Sequence, residues 1–194
     1  MSSGNALRQS HYEDALAFAE KKHRNQIRIG GAPYITHPIA VADILRDWGY
    51  PLEYQITGLF HDLLEDTDAS EQEIESIGGA AVLEAVKLLT KQKDYIMADY
   101  VSGIKADPMA RAVKAADRLH NLRCAVVASE DFKRRYLLES VDWYWDLSPE
   151  IPPAAKALAE SMETPLPEFP FLYEPIENRI IDKTQNGHND TRRK

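Results

Sequence analysis

The chain of 194 residues holds a single cysteine, Cys124. One thiol excludes a disulfide scaffold and any Cys₄ or Cys₂His₂ zinc site built by one chain. No apolar run approaches the ~20 residues that a membrane span needs. Positive charge is also short: 23 Lys and Arg stand against 31 Asp and Glu, for a net −8. That balance argues against a general nucleic-acid binder and, on composition alone, against a polyanionic ligand. Sustained apolar–polar alternation is missing too, so no sheet is expected. The first ten residues lack a secretory pattern, and nothing demands disulfides, so a cytoplasmic location is expected. The length suits one domain with a tail, and such a chain buries roughly 70% of its unfolded surface.

What is present is helical periodicity. Ser10 with Glu13 reads as a capping box, and Tyr12, Ala15, Leu16 and Ala19 follow at helical spacing, predicting a helix over 11–24. Gly30, Gly31 and Pro33 mark 26–34 as a loop. Pro38 opens a helix with Val41, Ile44, Leu45 and Trp48 inward. Pro51 opens the next, with Ile56, Leu59, Phe60 and Leu63 inward and a break at 67–70. Ser70 with Glu73 caps a short helix that stops at Gly78-Gly79. Further helices are predicted around Val82–Leu89, over 94–105, from Asp107-Pro108 onward, and over 131–146. The expected fold is an all-α, multi-helix bundle. Seven of the eleven prolines lie in the last 46 residues. Residues 1–150 are therefore expected to form the domain, and 151–194 a C-terminal helix plus a Pro-rich, partly disordered tail. Within that tail, 169–181 is apolar enough to dock, and 177–194 is expected to be poorly ordered.

Three histidines keep unusual company. His37 lies at a helix start, His61-Asp62-Leu63-Leu64-Glu65-Asp66 lies in an apolar helix, and His120 lies with Asp117 in an apolar stretch of a third. Residues four apart share a helix face, which pairs His61 with Glu65 and Asp62 with Asp66. A lone His-Asp pair most often ends an amphipathic helix with its acids in water. Here Leu59, Phe60, Leu63 and Leu64 leave little of the helix polar. So many carboxylates are costly to bury without a cation. Imidazole and carboxylate without thiolate suits Mn²⁺, Fe²⁺ or Zn²⁺.

The order His37…His61-Asp62…Asp117, with separations of 24 and 55 positions, resembles the HD-domain metal-dependent phosphohydrolases. Longer strings narrow the resemblance. Gly-Ala-Pro-Tyr-Ile-Thr-His-Pro (31–38), His-Asp-Leu-Leu-Glu-Asp-Thr (61–67) and Lys-Ala-Ala-Asp-Arg-Leu-His-Asn-Leu-Arg (114–123) resemble the hydrolase domain of the RelA/SpoT alarmone enzymes. The remaining length leaves no room for a synthetase domain, which points to a stand-alone small alarmone hydrolase.

The resemblance implies an HD-domain bundle and Mn²⁺ held by His37, His61, Asp62 and Asp117. It implies that Glu65 and Asp66 position or activate the attacking water. Asn121 corresponds to a nucleotide contact, and Arg28 to an arginine that packs against the base. Arg135, with Glu139, Ser140 and Tyr144, resembles a downstream stretch more loosely. The basic run ending at Arg24 is most often a solvated face, and its functional reading is phosphate contact at the cleft mouth. Lys91 and Lys93 are expected to face solvent, and His120 to support Asp117 from behind. Ile29 stands where the family often has Lys, and Ala32 where it often has Glu. The implied reaction removes the 3′-pyrophosphate of (p)ppGpp or (p)ppApp, as in the stringent response, leaving the nucleoside 5′-phosphate. The implied partner is a small nucleotide, with no nucleic acid or membrane; a homo-oligomer is compatible. A general HD-domain nucleotide phosphohydrolase and a non-catalytic nucleotide sensor are the alternatives. A metal cleft would also offset the acidic balance locally, because net charge reports on the whole surface.

Overall fold

The computed structural model describes residues 3–28 and 30–173. The expectations for 177–194, and for the end of 169–181, fall outside the described residues. Among the described residues ten α-helices follow one another: α1 Ser3–Lys22, α2 Thr36–Asp47, α3 Leu52–Phe60, α4 Leu63–Asp66, α5 Glu71–Gly78, α6 Ala80–Leu89, α7 Met97–Ala106, α8 Pro108–Cys124, α9 Glu130–Glu139 and α10 Ile151–Glu160. Short 3₁₀ turns follow α8 and α10, and a π-turn, Ser140–Tyr144, follows α9. Among the described residues there is no sheet. One isolated bridge, Ile27 to Pro33, pins the ends of the loop before α2. Gly30 and Gly31 turn that loop with φ of 100° and 88°, a region open to glycine. No described helix is long and apolar enough to cross a membrane.

Local chemistry accounts for most boundaries. Ser70 and Glu73 form the reciprocal capping box of α5. Asp107 caps α8 by accepting from the Ala110 amide, with Pro108 in the first turn. Two starts differ from expectation. The first helix begins at Ser3, so Ser10 lies inside it; Glu13 accepts from Gln9 one turn earlier rather than closing a cap. α7 begins at Met97, because Asp94 takes a left-handed φ of 62° that a helix interior rejects. After α9, Ser140 Oγ donates to the Tyr136 carbonyl at 2.6 Å where the chain widens into the π-turn.

The bundle is organised around α8, which packs against α2, α3, α6, α7 and α10. Its apolar side buries Val113, Ala116, Leu119 and Leu122. The C-terminal α10 adds Ile151, Ala155, Leu158 and Ala159 to the same interior. α2 crosses α3 at Gly58, where an added Cβ would lie 2.9 Å from Leu45 Cδ1 and 3.2 Å from the Ala42 amide nitrogen. This close crossing brings the start of α2 to the end of α3.

Candidate metal centre

The helix predicted through His61 and Asp62 is interrupted there. α3 ends at Phe60, Asp62 has φ −103° and ψ 0°, and α4 begins at Leu63. His61 Nδ1 lies 2.8 Å from the Gly58 carbonyl, the acceptor that a continuing helix would offer to the Asp62 amide. In a regular helix consecutive side chains diverge. The interruption instead turns His61 Nε2 and Asp62 Oδ2 to within 2.9 Å.

Two more elements complete the cluster. His37, in the first turn of α2, places Nε2 3.2 Å from His61 Nε2 and 3.8 Å from Asp62 Oδ2. Asp117, on α8, places Oδ1 3.2 Å from His37 Nε2 and 3.8 Å from His61 Nε2. His37, His61 and Asp117 are all buried, and their ligating atoms lie within 4.8 Å of one another. Two donors bound at ~2.1 Å to one ion lie roughly 3.0–3.4 Å apart at right or tetrahedral angles. The donor set therefore fits a divalent cation.

Hydrogen bonds behind the ligands orient them. His61 Nδ1–H donates to Gly58, which turns Nε2 toward the other donors. His37 Nδ1 lies 2.8 Å from Nδ1 of His120. Burial, with the nearby charges of His37 and Arg28, pushes the His120 pKa down to about 4 and keeps its ring neutral. With His37 Nε2 facing the other donors, the Nδ1–H of the matching His37 tautomer would donate to His120. His120 thus supports His37, where the sequence reading set it behind Asp117. Its other nitrogen lies 3.5 Å from Cys124 Sγ.

The electrostatics expect a cation. Burial opposes protonation of His61, yet the Asp62 and Asp117 carboxylates outweigh it and push its pKa up to about 9. Burial alone would raise the Asp117 carboxyl, but Lys114 and the two histidines hold it well below the usual carboxylate range. A proton on His61 thus offsets charge that a metal ion would balance.

Around the cluster lies a cavity of about 390 Å³, lined by Arg28, Tyr34, His37, Asp62, Asp117 and Asn121 among others. Asn121 Nδ2 donates to Asp117 Oδ1 at 2.6 Å, and Arg28 donates to Asn121 Oδ1 at 2.9 Å. The Tyr34 hydroxyl donates to Asp62 Oδ2 at 2.6 Å and reaches Asp66 Oδ2 at 3.3 Å. Burial and the neighbouring Asp62 and Glu65 charges push the Asp66 carboxyl up. Glu65 accepts from the Lys91 amide at 3.0 Å. Arg24 and Arg135 are exposed and are not among the residues lining this cavity. Glu139 lines it, while Ser140 and Tyr144 are fully buried.

Three cations escaped the sequence reading. Lys91, expected in solvent, lines the cavity beside Tyr95 and Tyr100. Arg118 lies between the rings of Tyr136 and Tyr144, 4.1 and 4.2 Å from their centroids, and pairs with Glu139 at 3.2 Å. Lys114 meets Asp117 at 2.9 Å. Its spacing of three residues before Asp117 was the available signal. A second cavity of about 440 Å³, between Trp48, Arg111 and Glu150, lies away from the donor cluster.

Comparison with known proteins agrees with this architecture. Over 170 residues the chain is 35% identical to "GTP pyrophosphokinase rsh" of Brucella melitensis, covering 82% of this chain and 22% of that protein. Over 145 residues it is 34% identical to the "Bifunctional (p)ppGpp synthase/hydrolase SpoT" of Escherichia coli, covering 69% of this chain and 21% of that protein. The chain thus spans about a fifth of the length of these relatives. A solved structure, described as a metazoan ortholog of SpoT that hydrolyses ppGpp, superposes with a TM-score of 0.65 at 24% identity. That match covers 77% of this chain and 94% of the other, and shows a shared fold. Residues 15–148 match the family model described as the HD domain. With most of the chain inside that match and its histidines and aspartates gathered at one buried point, the chain belongs to the HD-domain family.

Proposed function

We propose that the protein is a Mn²⁺-dependent hydrolase that removes the 3′-pyrophosphate from a guanosine or adenosine alarmone, (p)ppGpp or (p)ppApp. The observation that carries this reading is the convergence of His37, His61 and Asp117, with Asp62 beside them, on a cavity that also holds Arg28 and Asn121. The names borne by the SpoT-like relatives supply the substrate class. An all-nitrogen-and-oxygen donor set suits Mn²⁺. The activity is assigned to residues 1–150, with 151–194 as a C-terminal addition, acting in the cytoplasm on a small nucleotide.

His37, His61, Asp62 and Asp117 would hold the metal. Bound there, a divalent cation polarises a phosphoryl oxygen and lowers the pKa of water. Asp66, whose carboxyl burial and the neighbouring Asp62 charge push up, is suited to take the proton that water loses as its oxygen bonds to phosphorus. Glu65 lies next to it in the chain, where the Lys91 amide holds its carboxylate at 3.0 Å. Tyr34, kept protonated by burial and by Asp62, donates between Asp62 and Asp66 and holds the two carboxylates in register. The bond from the ribose 3′-oxygen to phosphorus breaks, the 3′-oxygen takes up a proton in place of the one water gave to Asp66, and pyrophosphate leaves. Arg28 offers its guanidinium plane to the base, and Asn121 a neutral hydrogen bond to ribose or phosphate.

Pyrophosphate release from ppGpp and ppApp with Mn²⁺ tests this directly. Wild type should cleave at least one of them, and Glu65→Ala with Asp66→Ala should lose about 10²-fold or more in kcat. Intact alarmones beside cleavage of another nucleotide would mark a general phosphohydrolase. Tight binding without turnover in either protein would mark a sensor.

A further inference from the structure

Asp117 has two carboxylate oxygens, and the structure uses them differently. Oδ1 faces His37 Nε2 at 3.2 Å and accepts from Asn121 at 2.6 Å. Oδ2 receives the Lys114 ammonium at 2.9 Å. Lys114 lies three residues earlier on α8, so both side chains leave the same face. Its side chain is only 12% exposed. The rings of Tyr100 and Tyr144 stand 6.0 and 5.7 Å from the ammonium, an arrangement that favours the charge where it is. The ammonium lines the same cavity as His37 and Asp62. It is therefore a fixed charge at the centre rather than a surface lysine passing by.

The charge arithmetic gives that lysine a purpose. Two ligand carboxylates, Asp62 and Asp117, would cancel a divalent cation, and an anionic phosphate would meet a centre of no net charge. Lys114 restores one positive charge. Glu139 lies 3.2 Å from Arg118 and 3.8 Å from Lys91, so its one negative charge offsets one of those two cations. Arg28 also lines the cavity, but Lys114 is the cation that contacts a ligand carboxylate itself.

We propose that Lys114 is a positioning residue that sets the charge of the metal centre: it holds Asp117 as a one-oxygen ligand and leaves the loaded centre net positive toward phosphate. This rests on the reading of the cluster as the metal site of a phosphohydrolase. Its consequence is a pair of opposed effects. Toward the metal, Lys114 competes for the Asp117 charge, so removing it leaves metal binding unchanged or tighter. Toward an anion, removing it costs attraction. A lysine that merely braced Asp117 would, when removed, weaken the metal and spare any direct effect on the anion.

The test uses the full chain with Lys114→Met, Lys114→Gln and Lys114→Arg. Calorimetry measures the Kd of Mn²⁺, then the Kd of inorganic pyrophosphate for the Mn²⁺-loaded protein. Lys114→Met should bind Mn²⁺ within about threefold of wild type, or more tightly, and bind pyrophosphate about tenfold or more weakly. Lys114→Gln, which keeps a donor for Oδ2 without the charge, should behave the same way and serves if the Met variant fails to fold. Lys114→Arg should recover most of the pyrophosphate affinity. The salt dependence of pyrophosphate binding should flatten in the two neutral variants. The proposal falls if the neutral variants lose Mn²⁺ affinity tenfold, if pyrophosphate binding is unchanged, or if Arg does no better than Gln. None of these readouts needs turnover. A wild type that binds Mn²⁺ and pyrophosphate but leaves ppGpp and ppApp intact refutes the alarmone reading alone.

Discussion

Replacing Gly58 by alanine asks whether the close crossing of α2 and α3 sets the metal geometry. The new methyl would lie 2.9 Å from Leu45 Cδ1, 3.2 Å from the Ala42 nitrogen and 3.3 Å from the Ala42 Cα. Leu45 can change rotamer at some cost, although it is fully buried. The α2 backbone can give way only by moving as a helix, and His37 moves with it. In an unobstructed helix the substitution would stabilise by roughly 0.5–1 kcal/mol through backbone entropy. Overpacking against a buried backbone costs ~1–3 kcal/mol. The clash wins, and a net loss of about 1–2 kcal/mol follows. Gly58 also presents the carbonyl that holds His61 Nδ1. Separating α2 from α3 therefore widens the 3.2 Å gap between His37 and His61 Nε2. Urea unfolding of wild type and Gly58→Ala, with and without Mn²⁺, reads both effects. The variant should be less stable in both conditions, with the larger deficit when Mn²⁺ is present. A variant at least as stable as wild type, with unchanged Mn²⁺ affinity, would show that α2 yields freely and refute the reasoning.

Tyr34→Phe removes one hydroxyl that contacts both Asp62 and Asp66 while keeping the ring. Hydrogen bonds to charged groups contribute ~1.5–3 kcal/mol, so kcat should fall about tenfold or more with KM little changed; equal kcat in both proteins would remove Tyr34 from the chemistry. Glu73 offers a pH test far from the site. Hydrogen bonds from the Ser70 amide and then Lys22 hold its pKa at about 2, against an ordinary 4.5. Its contribution is full above pH 4.5 and disappears as pH falls toward 2. The melting-temperature gap between wild type and Glu73→Gln should therefore be constant from pH 7 to about 5 and close at lower pH. A gap independent of pH would contradict the pairing.

The meeting of His37, His61 and Asp117 and the all-helical architecture were legible because each depends on short-range order. Strings such as 61–67 and 114–123 carry the candidate donors, and helical spacing places Asn121 on the Asp117 face. Capping at Ser70 and Asp107 was legible for the same reason. Contacts between helices were not. Periodicity along α8 cannot say that His120 meets His37, or that Arg118 lies between two tyrosines contributed by α9 and the π-turn. It cannot show that Lys91, at the end of α6, turns into the cavity while Arg24 and Arg135 stay exposed. The interruption at His61 was hidden because apolar spacing runs unbroken through Leu59, Phe60 and Leu63. A side chain taking the Gly58 carbonyl leaves no mark on that pattern.

The four proposed donors lie on α2, at the α3–α4 junction and on α8, with 24 positions between the two histidines and 55 between the two aspartates. A cation gripped by them closes two loops of chain, as a crosslink does, and the entropy it removes grows only with the logarithm of loop length. Unlike a disulfide, this crosslink exchanges with its surroundings. His61 takes a proton in its place, with a pKa of about 9. Loading the centre and tightening the three-segment joint are then one equilibrium, and metal scarcity and proton excess loosen the same joint.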